Sequence, residues 1–131
     1  MESNTITMNA YLQEHDDVVR AIIKAQEPTF EILSNIDGEK NFISGVFPDI
    51  ILLDKSTKQP VFIIEVKKNG QIQGCLQQWN TISNLPATLY VVVPESDLSG
   101  AKLVATSIGL KAKFGTYRYE NNIVTSTHFE S

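Results

Sequence analysis

The chain has almost no cysteine: Cys75 stands alone among 131 residues, which excludes an intramolecular disulfide framework. Histidine is nearly as scarce, with only His15 and His128, and this argues against a Cys/His zinc site. Long hydrophobic runs are missing too. The longest, Ile50-Ile51-Leu52-Leu53 and Leu89-Tyr90-Val91-Val92-Val93, fall far below the roughly 20 residues of a membrane-crossing helix. No glycine-rich phosphate loop, internal repeat or low-complexity tract is present, and no Pro/Gly/Ser-rich linker divides the chain. Residues 1–131 are therefore read as one domain. Met1-Glu2-Ser3-Asn4 shows no basic region followed by an apolar stretch, so a cytoplasmic protein with no secretory signal and no membrane association is expected.

Positive charge is not in excess either. Eleven Lys/Arg stand against fifteen Asp/Glu, for a net charge of -4, which excludes a protein that coats nucleic acid through bulk charge. The imbalance is uneven. Residues 1–54 hold ten acids and three bases, whereas residues 55–131 hold five acids and eight bases. That distribution leaves room for a local basic groove around an acidic, cation-binding centre. What remains, 42% hydrophobic and 20% charged, is ordinary for a globular domain.

Local patterning gives the order of elements. Met8, Tyr11, Leu12, His15, Val18, Val19, Ile22 and Ile23 recur at helical spacing, with Asn4, Thr5 or Thr7 available as a cap and Pro28 barring continuation. Phe30 to Ile36 reads as a strand ended by an Asp37-Gly38 turn. Val46 to Leu53 and Val61 to Val66 read as a hairpin joined by the polar stretch Asp54 to Pro60. Ile72, Cys75, Leu76, Trp79 and Ile82 form the apolar stripe of a second helix, whose other face carries Gln71, Gln73, Gln77, Gln78 and Asn80. Leu89 to Val93, apolar on both faces, predicts a buried central strand stopped by Pro94. A third helix over Leu98 to Leu110 and two strands, Thr116–Glu120 and Ile123–Phe129, joined at Asn121-Asn122, close the chain. The expected class is α/β, with a central mixed sheet flanked by helices in the order α-β-β-β-α-β-α plus a C-terminal hairpin.

The middle hairpin holds the chemistry. Alternation places Asp49, Ile51 and Leu53 on one face, and Val61, Ile63, Glu65 and Lys67 on one face of the partner strand. With Leu53 opposite Val61, Ile51 falls opposite Ile63 and Asp49 opposite Glu65. Like charges facing each other across an antiparallel pair destabilise it. A divalent cation is the natural compensator, and Mg²⁺ suits one or two carboxylates plus waters. Lys67 lies two residues beyond Glu65 and partly neutralises the pair.

Pro48-Asp49 followed by Glu65-Val66-Lys67 resembles the PD-(D/E)xK nuclease superfamily. Gly45-Val46-Phe47-Pro48-Asp49-Ile50-Ile51-Leu52 and Val61-Phe62-Ile63-Ile64-Glu65-Val66-Lys67-Lys68 look most like the nuclease domain of type I restriction enzyme motor subunits. A looser likeness is to archaeal Holliday-junction resolvases. The resemblance extends over the elements from about Thr7 to Pro94. It implies a restriction-endonuclease-like three-layer fold. It also implies a Mg²⁺ site (Mn²⁺ as substitute) made by Asp49, Glu65 and the Val66 carbonyl, with Lys67 orienting or deprotonating the attacking water. The family often adds a carboxylate from the first helix. Glu14, on the border of the buried stripe, is the choice, with Asp17 and Glu31 as rivals. His15, on the stripe itself, reads as a core or interface histidine. The glutamine and tyrosine spaced by four that many relatives carry on the following helix are missing here. Gln73 or Gln77 is left to hold a phosphate or water, and Trp79 reads as core. Lys68 heads the candidate DNA contacts, followed by Lys102, Lys111, Lys113 and Arg118. The implied activity is Mg²⁺-dependent hydrolysis of DNA phosphodiesters, by a homodimer or with a motor or specificity partner. The alternative is a non-catalytic or partner-dependent binding module that keeps the fold.

Overall fold

The computed structural model of the chain describes residues 2–38, 40, 41, 43, 45–68, 71–73, 80, 81 and 85–131, with side chains described from residue 10 onward. Helix α1 (Glu2–Gln26) is followed by strands β1 (Glu31–Ser34), β2 (Ile50–Leu53), β3 (Pro60–Val66) and β4 (Thr88–Pro94). Then come a short 3-10 turn at Glu95–Asp97, helix α2 (Leu98–Ile108), and strands β5 (Lys113–Glu120) and β6 (Ile123–Phe129). The six strands form one mixed sheet in sequential order, β1 to β6. β3, β4 and β5 are parallel neighbours, and the other pairs are antiparallel. Among the described residues, no helix is long and apolar enough to cross a membrane.

Two parallel connections that step the same way along a sheet, both right-handed, lie on the same face. One buried cluster accordingly joins Ile63, Leu89, Val91 and Val93 to Ile72 of the first crossover and to Ala101 and Ala105 of α2. The opposite face would be bare without α1. Val18, Val19 and Ile22 cover it, packing on Ile50, Leu52, Ile64, Val66, Tyr90 and Val92. Successive residues of β3 and β4 thus point into different clusters. That is why both strands read as unbroken apolar runs. Each fully buried aliphatic side chain contributes about 1.5–3 kcal/mol.

Several boundaries move from their expected places. α1 already runs from Glu2, so Asn4, Thr5 and Thr7 lie inside it and do not cap its start. β2 begins at Ile50, not Val46. Ile43 and Val46 exchange backbone hydrogen bonds of 2.9 and 3.0 Å across a tight turn at Gly45, whose φ is 87°. In the β2–β3 pair, Ile51 faces Ile63 as expected, but a bulge after Leu52 sets Leu53 opposite Pro60 instead of Val61. The cause lies in the connection. The Asp54 carboxylate accepts hydrogen bonds from the Ser56 and Thr57 amides at 2.8 and 2.9 Å, and Lys58 turns to a φ of 63°. The predicted helix from Ile72 to Ile82 falls mostly outside the described residues, as do Gln77 and Trp79. α2 ends at Gly109, whose φ of 74° lets its amide reach the Ala105 and Thr106 carbonyls.

Candidate functional site

The β2–β3 register pairs Ile50 with Ile64, and one further step brings Asp49 opposite Glu65. There the ladder gives way to side chains. The Asp49 amide donates to Glu65 Oε1 at 2.8 Å, and the Val66 amide donates to Asp49 Oδ2 at 2.8 Å. Each carboxylate therefore caps backbone at the end of the opposite strand. Lys67 Nζ lies 3.6 Å from Glu65 Oε2. Its amide continues the parallel ladder by donating to the Val92 carbonyl at 2.9 Å. Glu65 is 2% exposed and is the one charged residue buried among the apolar core residues described. Such burial is costly unless the charge is paired and hydrogen-bonded.

Pro48 and Asp49 are delivered by a clamp that the sequence reading missed. Asn35, just after β1, donates from Nδ2 to the Asn41 and Pro48 carbonyls, and its Oδ1 accepts from the Lys40 and Asn41 amides. Its own amide donates to the Asp49 carbonyl at 3.1 Å. One amide side chain thus ties both ends of the 40–49 segment to the sheet. The only local hint is the adjacent Asp37-Gly38 turn.

From α1 comes a second contact. His15 Nε2 lies 3.1 Å from Asp49 Oδ2, while Nδ1 lies 3.1 Å from Asp16 Oδ1. Burial alone would lower the imidazole pKa, but the hydrogen bond and charge of Asp49, followed by those of Asp16, raise it above the ordinary value. His15 is thus half-buried at the candidate site and not in the apolar clusters.

Glu14 borders the same corner but bonds to β5. Its Oε2 accepts from the Tyr117 hydroxyl at 2.6 Å and lies 3.5 Å from Lys68 Nζ. It lines a narrow crevice with Tyr11, His15, Val66, Lys67, Lys68 and Tyr117. Of its rivals, Asp17 accepts from the Tyr119 hydroxyl at 2.7 Å, and Glu31 pairs with Lys58 at 2.9 Å on the first strand. Burial and then Glu14 raise the Tyr117 phenol, and Asp17 pushes that of Tyr119 up to about 12. Lys68 Nζ also sits 5.4 Å from the centre of the Tyr11 ring. Gln71, not the exposed Gln73, is tied to this corner, donating to the Tyr11 hydroxyl and accepting from the Lys68 amide.

An open groove of about 720 Å³ runs beside the cluster, past the C-terminal end of β4. Crevices at the carboxyl ends of parallel strands are where α/β sheets bind ligands. Its charged lining comprises Glu14, Glu95, Asp97 and Glu120 against Lys68 and Arg118, and Arg118 is bonded to both Glu95 carboxylate oxygens. Lys102 pairs with Glu130. Lys111 and Lys113 line a separate cavity with Thr88, at the other end of the parallel strands.

The donor set fits a hard divalent cation. Asp49 Oδ1 takes no hydrogen bond among the described residues, and the Glu65 carboxylate and the Val66 backbone meet at the same strand end. Oxygen-only donors with two carboxylates match the preference of Mg²⁺, which leaves its other positions to waters and phosphate oxygens. No group of three or more His, Cys, Asp or Glu able to hold a metal occurs among the described residues, so any cation here would rest on that sparse set. Comparison with protein-family models, curated proteins and solved structures finds no match for the chain.

Proposed function

We propose that the chain is a Mg²⁺-dependent DNA endonuclease of the PD-(D/E)xK type, with its sheet and helices layered as in restriction endonucleases. The observation that carries this reading is the reciprocal capping of Asp49 and Glu65, with the Lys67 ammonium alongside. Asp49, Glu65 and the Val66 carbonyl would hold the cation. When bound, it would supply a more acidic water and offset charge on the phosphate. The chain's own residues do the rest. His15 and the Val66 amide fix the Asp49 carboxylate through Oδ2, leaving Oδ1 without a hydrogen bond among the described residues. Lys67 would orient the attacking water and stabilise charge developing on the phosphorane. Lys68, which lines the groove, is a further cation for a neighbouring phosphate.

The test uses supercoiled, linear, single-stranded and branched DNA with Mg²⁺ or Mn²⁺. Wild type is expected to cleave at least one substrate only when metal is present. Asp49→Ala and Lys67→Ala are each expected to reduce the rate by about 10² or more. A folded wild-type chain that cleaves none of them overturns the proposal.

A second reading, a binding module that acts only with a partner, is favoured by the groove's lining. Four carboxylates against two cations, both already paired with acids of the same groove, repel a phosphate backbone. A motor or specificity partner would have to supply the missing positive charge. Metal-dependent cleavage by the isolated chain argues against this reading.

A further inference from the structure

At the end of the sheet opposite Asp49 and Glu65, two neighbouring spaces have complementary linings. The first is a crevice of about 180 Å³ bounded by Phe30, Phe62, Tyr90 and Phe129. Among the described residues its polar lining is Gln26 and the Tyr90 hydroxyl, and that hydroxyl already donates to the Glu130 carbonyl at 2.6 Å. The four rings touch in sequence, with centroids 5.6, 5.7 and 5.1 Å apart, and the outer two contacts are edge-on. Phe30, Phe62 and Phe129 stay partly exposed where the cover given by α1 ends at Gln26. An apolar cavity of about 150 Å³ holds a molecule the size of benzene. The crevice therefore suits a single ring or a short branched chain.

The second space, about 310 Å³, is lined by Thr88, Lys111 and Lys113 and by no carboxylate among the described residues. Neither ammonium has an ion-pair or hydrogen-bond partner among those residues. The Lys113 charge reaches Glu130 without pairing with it. That carboxylate is bonded to Lys102 Nζ at 3.1 Å and to the Phe114 amide at 2.6 Å.

Register makes the two spaces neighbours. Lys113 lies beside Tyr90, and Thr88 beside Phe62, on adjacent parallel strands. Adjacent strands are about 4.8 Å apart, and residues paired across them share a face. Phe62 and Tyr90 pack on the face that α1 covers, so Thr88 and Lys113 project on that side too.

We propose that crevice and lysine cavity form one site for a small organic anion with a single-ring or branched apolar body. Two separate demands select this class. Filling the crevice removes apolar surface from water, which a bare inorganic anion does not do. The two unpaired ammonium groups repel each other, and an anionic group offsets that repulsion where a neutral apolar molecule does not. The inference is independent of the nuclease reading, since the site shares no residue with Asp49, Glu65 or Lys67.

Phenylacetate is the probe, titrated into the isotope-labelled chain at low ionic strength and followed by amide NMR shifts. Saturable shifts are expected at Phe62, Thr88, Tyr90, Lys113 and Phe129. Phenylacetamide keeps the ring without the charge, and acetate keeps the charge without the ring. Each is expected to bind about tenfold more weakly. The double variant Lys111→Gln with Lys113→Gln is expected to bind phenylacetate as weakly as the amide, and to bind the amide as wild type does. A wild type without saturable shifts in phenylacetate overturns the proposal. So does equal binding of either analogue, or a double variant that binds phenylacetate unchanged.

Discussion

Asp49 shows how much one side chain does at the candidate site. One oxygen caps the Val66 amide and faces His15, and its own amide is held by Glu65. The imidazole lies between Asp49 and Asp16, so it keeps its proton to higher pH in the folded metal-free chain than in the unfolded one. Its contribution to stability is complete below the ordinary histidine value of about 6.5. That contribution is lost as pH rises through the raised folded value. An NMR titration of the His15 ring without metal is expected to give a midpoint above the ordinary value, and Asp49→Asn is expected to lower it. A midpoint that does not respond to Asp49→Asn contradicts the contact. The pairing of Asp49 with Glu65 was legible because alternation and a short hairpin are local. His15 reads as a core or interface histidine because its position on the helical stripe says that it faces inward, not what it meets there.

The strands show where local pattern stops being enough. β6 and the Asn121-Asn122 turn lie where patterning placed them, since both asparagines adopt the positive φ angles of 54° and 62° that such a two-residue turn requires. β5 starts three residues earlier than expected, at Lys113. Gly115 hides that stretch because glycine has no side chain to register in a hydrophobic pattern. It is there for space: a Cβ would lie 3.0 Å from the His128 carbonyl oxygen and 3.1 Å from Val92 Cγ2. Gly115→Ala is therefore expected to cost about 1–3 kcal/mol in chemical denaturation. A neutral result would mean that β4, β5 and β6 separate more easily than their packing suggests. β2 was overestimated for the opposite reason. Val46 and Phe47 have strand-like side chains, but Pro48 has no amide to donate, and Asn35 holds the Pro48 carbonyl in a loop.

Across the domain, the cluster at the C-terminal end of β3 joins α1, the β2–β3 hairpin and β5 through contacts far apart in sequence. Bringing two carboxylates together without a cation costs stability, and a ligand that binds only the folded state restores it. Mn²⁺ at concentrations well above its dissociation constant is expected to raise the melting temperature of wild type by several degrees, about 2.7 kcal/mol at a hundredfold excess. The rise is expected to be smaller in Asp49→Ala. Equal shifts in the two proteins would place any bound ion elsewhere.

The amino-acid order alone was enough for the mixed α/β class, the alternation of β3 and β4, the hairpin that opposes Asp49 to Glu65, and the stops at Pro28 and Pro94. All of these depend on a residue's near neighbours and on the periods of helix and strand. Packing settled the rest: α1 turned so that His15 meets Asp49 across 34 positions and Glu14 meets Tyr117 across 103, and Asn35 gathering its loop. A helical stripe says which side of α1 is buried, but its rotation and placement over the sheet come from the fit of Val18, Val19 and Ile22 against β2, β3 and β4. Contacts between polar side chains on different elements follow from that fit, and no spacing along the chain encodes them.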